Sequence, residues 1–216
     1  MTRLLTSITP TERHEASRML RRCCSIKLGE GMTLAADQIP AAKLLVVERG
    51  IVHVARNRPD SKRPAVLALA GPGAVLLPLA RNEALGGMTE AVVIAVPAAA
   101  CELLVALPSV AGALLDALLE TLRERQETLA YTNGAPHSDR LRETLLQLAR
   151  LHGKVGPDGV EIALPLTHEL LARLIGSARE TVTMTLSAFE REGFLSRAGG
   201  AYRLVVPPEV LEATMP

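Results

Sequence analysis

The spacing of apolar positions changes character along this chain, and each change predicts a different kind of element. Thr9-Pro10-Thr11-Glu12 predicts a first helix ending near Arg21-Arg22. Thr9 can cap it, Pro10 suits its first position and Glu12 falls at the capping-box position. From Ser25 the apolar runs become short and are broken by Gly, Pro and Asp: IKLGEG, TLAADQIP, AKLLVVERG, IVHVARN, PAVLALAGPG, AVLLPLA and EAVVIAVPA. Brief strands between turn signals predict a compact antiparallel barrel or jelly roll. The helical period returns with a short helix over 97–107 and a long one from Pro108 to about Tyr131. Along the long helix Ala111, Leu115, Leu118, Leu122, Arg125 and Leu129 alternate spacings of four and three, a seam for a partner helix. The alternative is a seam packed on the chain's own barrel. Arg125 is a flaw in a plain coiled coil and can meet an effector, a carboxylate or solvent.

Thr132-Asn133-Gly134-Ala135-Pro136 is the clearest boundary, an Asn-Gly turn followed by a Pro that discourages helix before it. Beyond this hinge, Ser138 or Asp139 is expected to cap a helix through Leu141, Leu145, Leu148 and Leu151. Gly156-Pro157-Asp158-Gly159 turns between two short strands. The stretch LTHELLARLIGSARETVTMTLSAFEREGFL, Leu166 to Leu195, then reads as two short helices across a tight turn, a helix-turn-helix. Thr167 can cap the first, with Glu169 favourable near its positive end. Leu170, Leu171, Leu174 and Ile175 give that helix an apolar face, and Gly176 can leave it with a positive φ. Ser177 or Ala178 opens the second helix, whose Val182, Leu186 and Phe189 lie on one side while Arg179, Glu180 and Thr183 project elsewhere. Pro207-Pro208 stops the last strand, and a final helical turn is expected over 208–213.

The polar leading edge of the second helix has the chemistry of base reading. Arginine's planar fork can bond guanine N7 and O6 together, a carboxylate can accept from cytosine N4–H, and threonine can touch phosphate or a thymine methyl. Arg179 and Glu180 are the base-reading candidates, with Thr167, Ser177, Thr181 and Thr183 as further DNA contacts. An Arg-Glu dipeptide alone reads more simply as a solvated helix end; its place just after the turn glycine reverses that weighting.

Composition narrows the partner. Apolar residues make up 48% of the 216 residues, yet aromatics are only 2% and Trp is absent, which argues against stacking platforms for single strands or RNA. The net charge is +1, and from His137 onward nine Lys and Arg face ten Asp and Glu, so DNA affinity must come from local placement and dimerisation. Met1 to Pro10 has no secretory pattern and no apolar run spans a bilayer, so a cytoplasmic protein without a membrane partner is expected. Cys23, Cys24 and Cys101 form no C-x-x-C pair and no disulfide framework.

IGSARETV followed by LSAFEREGFLSRAGGAYRLV resembles the recognition helix and wing of the Crp/Fnr family, bacterial transcription regulators named for the cyclic-AMP receptor protein. The resemblance implies that Arg179 and Glu180 are the base-contacting pair and that Leu195 to Val206 is a wing hairpin turning at Gly199-Gly200. It implies that the barrel is a sensory β-roll like a cyclic-nucleotide-binding jelly roll, and that subunits pair in parallel along the long helix. Three positions depart from the family pattern: Leu170 stands for a Glu, Ala178 for a hydroxyl residue and Met184 for an Arg. These set the half-site apart from that of the cyclic-AMP receptor protein.

The sensory half departs further. The family cassette resembles P-G-D-x-x-G-E-L followed by R-[ST]-A; here the stretch reads Pro72-Gly73-Ala74-Val75-Leu76-Leu77-Pro78-Leu79, with Arg81-Asn82 downstream. Leu77 replaces the Gly and Pro78 the ribose-binding Glu, which argues against cyclic AMP. Three cysteines, two adjacent, do not supply the four thiolates of an iron–sulfur cluster. Cys23 and Cys24 follow Arg21-Arg22, whose charge can lower a thiol pKa, but small thiols at a helix end is the plainer reading. Part of the C-terminal stretch also looks like the carbon-monoxide-sensing branch of the family, yet AVLLPLA lacks that branch's Cys-x-His, and His53 is the only histidine in the barrel. No cofactor or metal is expected. An apolar effector pocket remains open, formed from Leu76, Leu77 and Arg81 with Leu118, Leu122 and Arg125, for a lipid-like effector or none.

The expectation is therefore an α+β chain of three segments: a sensory β-roll over 1–107, a dimerisation helix over 108–133 and a winged helix-turn-helix over 134–216. As a homodimer seamed by Ala111, Leu115, Leu118, Leu122 and Leu129 it would read a palindrome on double-stranded DNA, with RNA polymerase as a further partner. The rival is a small-molecule-binding or protein-interaction module that uses its winged helix for protein contacts. An enzyme is not expected, since no nucleophile with a base, phosphate loop or metal cluster is present.

Overall fold

The computed structural model describes residues 8–58, 61–132, 135–198 and 200–205. The chain forms two compact units that divide between Thr128 and Leu129. In the first, α1 (Pro10–Leu20) precedes β1 (Cys24–Leu28), β2 (Thr33–Ala35), β3 (Leu44–Arg49), β4 (Val52–Arg58), β5 (Ser61–Ala70), β6 (Val75–Leu76), β7 (Glu83–Gly87) and β8 (Ala91–Val96), with α2 (Ala98–Val105) and α3 (Pro108–Thr132) after them. The strands make two antiparallel sheets, β1-β8-β3-β6 and β2-β7-β4-β5, the β-roll expected from the short apolar runs. Strand β7 was not expected, because EALGG carries no β-branched residue. Its place comes from its neighbours: it pairs with β2 and β4, and Leu85 lies opposite Leu34 and Val54 with no exposed surface.

Strand alternation sorts the apolar residues of the first sheet onto two faces. Leu45, Val47, Leu76, Val93 and Ala95 point into the roll, where they meet Val52, Val54 and Leu85 of the second sheet. Their chain neighbours Leu44, Val46, Val75, Ile94 and Val96 point the other way, onto Leu104 of α2 and Val110, Ala113 and Leu114 of α3. A sheet buried on both faces explains why AVVIAV in β8 is apolar without a break.

Two helix starts differ from expectation. Thr9 makes no side-chain cap, and Glu12 does not close a capping box. Instead its carboxylate accepts from the Ser109 N–H at 2.8 Å and from the Ser109 hydroxyl, so it caps α3 rather than its own helix. A negative group is favoured there by the free N–H groups of the helix start. On α3, Leu118 and Ala117 pack on the barrel side, and the Thr121 hydroxyl donates to the Val75 carbonyl at 3.2 Å. The exposed stripe is Leu115, Leu119 and Leu122, at 58%, 42% and 52%. Leu118 thus leaves the expected seam, Leu119 enters it and Ala111 is half-buried; the Arg125 and Leu129 side chains lie outside the described residues.

The second unit contains α4 (His137–His152), β9 (Gly153–Gly156), β10 (Gly159–Ile162), α5 (His168–Ile175), α6 (Arg179–Arg191), β11 (Leu195–Ala198) and β12 (Ala201–Leu204). Its sheet runs β11-β12-β10-β9. Helix α4 starts at His137 with Pro136 as its uncapped N-terminal residue, so neither Ser138 nor Asp139 caps it. Leu141, Leu145, Leu171, Val182, Leu186, Phe189 and Leu204 fill the core. Phe189 and Phe194 meet edge to face, and the Arg142 guanidinium lies 4.5 and 4.2 Å from their ring centres while pairing with Glu192 at 2.9 Å. The expected hinge at Asn133-Gly134, the wing residues Gly199 and Val206, and the turn over 208–213 fall outside the described residues. No single helix among the described residues is long and apolar enough to cross a membrane.

Candidate nucleic-acid interface

Local chemistry builds the two helices of the motif. The Thr167 hydroxyl accepts from the Leu170 N–H at 3.1 Å, the expected cap of α5. Leu171, Ala172 and Ile175 are buried, with Leu170 and Leu174 at the edge of that face. Gly176 ends the helix with φ 63°, in the left-handed region where a residue without Cβ is favoured. Ala178 is the N-cap residue of α6, leaving that helix start without a side-chain cap.

Burial of Val182, Leu186 and Phe189 fixes which arc of α6 faces outward. Arg179, Glu180 and Thr183 stand exposed on it, Thr181 is half-buried, and Met184 is 67% exposed. Ser177 corrects the expectation for it: its hydroxyl is enclosed and has no partner among the described residues, so it does not face a ligand as placed. Thr183 keeps its place on the outward arc, but its hydroxyl donates to the Arg179 carbonyl at 2.9 Å.

A side-chain chain that the sequence reading passed over ties this helix to the wing. His168 Nδ1 lies 2.7 Å from the Thr183 hydroxyl and His168 Nε2 lies 2.7 Å from an Arg197 amino group. A guanidinium can only donate, so Nε2 holds a lone pair and the ring proton sits on Nδ1, donating to Thr183. Arg197 also reaches Glu190 at 2.9 Å and donates to the Tyr202 hydroxyl at 3.2 Å, with its guanidinium 5.0 Å from the Tyr202 ring centre. Burial, followed by the charges of Arg197 and Arg179, holds His168 below the usual histidine range, against an opposing pull from Glu190. Burial likewise raises the Tyr202 phenol. The only sequence signal was a histidine at the first helical position, whose partners lie 15 and 29 residues away.

Of the six residues expected to form an effector pocket, the five with described side chains are not gathered into one. Leu76 is inside the roll, Leu118 packs on the opposite face of the sheet, and Leu77 and Leu122 are 44% and 52% exposed. Arg81 is exposed and the Arg125 side chain is outside the described residues. Alternation is the cause: consecutive residues of an extended segment cannot line one cavity. Around the altered cassette, Glu83 accepts from Arg56 at 2.7 Å and from the Ala80 N–H at 2.9 Å, and Leu79 packs against the roll's core. The His53 ring lies against Gly86 of β7, where a Cβ would collide with it, so this histidine fills sheet surface. Burial raises the Cys23 thiol, which donates to the Met19 carbonyl at 3.6 Å; the charge of Arg21-Arg22 does not win there. No group of three or more potential metal ligands occurs among the described residues.

Comparison with known proteins agrees with this architecture. Residues 139–213 match the Crp-like helix-turn-helix domain. A CRP-like cAMP-activated global transcriptional regulator of Mycobacterium tuberculosis is 28% identical over 176 residues, covering 78% of each chain. A global nitrogen regulator of Synechocystis is 45% identical over 67 residues, 31% of this chain and 28% of that protein. Among solved structures, a CooA mutant from Carboxydothermus hydrogenoformans superposes with a TM-score of 0.75 at 20% identity, covering 91% of this chain and 89% of that one.

Proposed function

The chain belongs to the Crp/Fnr family of transcription regulators, and on that premise we propose that it works as a homodimer reading a palindromic operator, without control by cyclic AMP. The observation that carries this reading is α6 itself, a helix sealed on one face by Val182, Leu186 and Phe189 and presenting Arg179 and Glu180 at its exposed leading end. In a helix-turn-helix the leading residues of the second helix reach base edges in the major groove, and a two-fold dimer places two such helices about one DNA turn apart. Residues 134–216 are the reading segment, 108–133 the pairing segment and 1–107 the sensory segment. The exposed stripe Leu115, Leu119 and Leu122 supports pairing along α3, since its spacing of four and three is that of a helix seam. RNA polymerase is a further partner of this reading, and no catalytic step is assigned to the protein.

The case against cyclic AMP rests on what fills the roll. Leu76 and Leu79 join an apolar interior, Pro78 brings no carboxylate for ribose hydroxyls, and Glu83 engages Arg56.

Selection of bound sequences from a random duplex pool with purified protein tests the proposal. A palindromic winner, bound with a steep salt dependence, is expected. No enrichment, together with capture of a protein partner that is insensitive to salt, would favour use of the winged helix for protein contacts.

A further inference from the structure

The outward arc of α6 changes chemistry after its first turn. Arg179 and Glu180 supply the charged groups. Beyond them, the hydroxyls of Thr183, Thr185 and Ser187 each donate to the carbonyl four residues earlier, at 2.9, 2.8 and 3.1 Å. Thr183 is further engaged by His168. The Thr183 hydroxyl is thus engaged by partners within the protein although the residue is exposed, and beside it stands Met184, 67% exposed on the side away from the core. Among the described residues of α6, Met184 is the large apolar side chain left exposed, and it stands on the same arc as Arg179 and Glu180. The thioether is flexible and follows an irregular apolar contact well.

We propose that Met184, with the methyl of Thr183, is a specificity-determining surface that takes thymine 5-methyl groups in the major groove. The proposal rests on the reading of α6 as the DNA-reading helix and names what its second turn recognises. Among the groups that base edges present in the major groove, the thymine methyl is the apolar one. Met184 lies four residues beyond Glu180, about 6 Å along the helix, within reach of a base pair next to those that the charged pair faces. The operator half-site then combines a G·C pair, read by Arg179 and Glu180, with a thymine one or two steps away that is read without a hydrogen bond.

Deoxyuridine differs from thymidine only by that methyl, so it isolates the contact. In the selected operator each thymine of the half-site is replaced in turn by deoxyuridine, and affinity is measured by fluorescence anisotropy at fixed salt. Wild-type protein is expected to lose about three- to tenfold at one or two positions. Met184→Ala should bind thymine and deoxyuridine operators equally there, and Met184→Leu, which keeps the apolar bulk, should retain the discrimination. Equal wild-type affinity for every substituted operator, or unchanged discrimination in Met184→Ala, overturns the proposal. Arg179→Ala separates the two levels. Relaxation of the guanine position in that variant, with no methyl dependence in the wild type, sinks the methyl contact alone; an unchanged consensus in Arg179→Ala sinks the reading of α6 together with it.

Discussion

The two units of this chain leave different kinds of surface for a partner. The C-terminal unit seals apolar residues behind α6 and leaves Arg179 and Glu180 in solvent, ready for a partner. In the N-terminal roll the groups around the altered cassette engage one another: Glu83 takes Arg56 and a backbone N–H at the surface, Leu79 joins the core, and His53 covers Gly86. The C-terminal unit also pairs charges internally, Arg142 with Glu192 and Arg197 with Glu190, so what separates the units is the surface each leaves for a partner. On the roll's side that surface is the α3 stripe.

The largest expected effect therefore comes from that stripe. Leu115→Glu combined with Leu122→Glu should give a monomer in sedimentation, and loss of bivalent binding should weaken the full palindrome about 100-fold or more. A variant that stays dimeric places the subunit contact elsewhere. Next, Arg179→Ala should cost about 1–3 kcal/mol per half-site and relax one guanine position in a repeated selection. An unchanged consensus would remove Arg179 from base reading. Thr167→Ala, which deletes the α5 cap, should lower the stability of the C-terminal unit by about 1 kcal/mol in urea unfolding, with no change in the roll.

A smaller effect belongs to His168. Its native pKa is lowered, so as pH falls the unfolded chain takes up the proton first. The stabilisation from neutral His168 is present in full above the ordinary value of 6.5 and is lost as pH drops through the lowered native value. Denaturant midpoints of the C-terminal unit should fall as pH drops below 6.5, and His168→Gln should flatten that decline; an equal decline in the variant would assign it to another group. The smallest expected effect is none. If cyclic AMP bound, a hundredfold excess over its Kd would stabilise the roll by about 2.7 kcal/mol. No shift in thermal midpoint is expected, and a clear rise would reopen the roll as a nucleotide site.

How much of this was legible in the sequence differed between the same two regions. The motif helices were readable because their signals are local: Thr167 caps a group three residues away, and Gly176 needs only its own φ. The roll's outline was readable from turn residues. Its details were not, since β7 is defined by register with β2 and β4, and the supposed pocket mixed residues packed on opposite faces of one sheet. Caps failed where a distant partner competed: Glu12 was spent on Ser109, 97 residues away. His168 and Arg197 failed as signals for the same reason, being ordinary residues until folding brings them together.

The aromatic cluster around Arg142 and Arg197 has a practical consequence for spectroscopy. The chain's four aromatic residues are Tyr131, Phe189, Phe194 and Tyr202, and all fall after Thr128; Trp is absent. Tyrosine emission and near-ultraviolet dichroism therefore report the C-terminal unit together with the end of α3, while the roll is optically dark at those wavelengths. The natural sequence thus carries its own label. Melting followed at once by tyrosine emission and by far-ultraviolet dichroism would resolve the unfolding of reader and roll without adding a single dye or mutation.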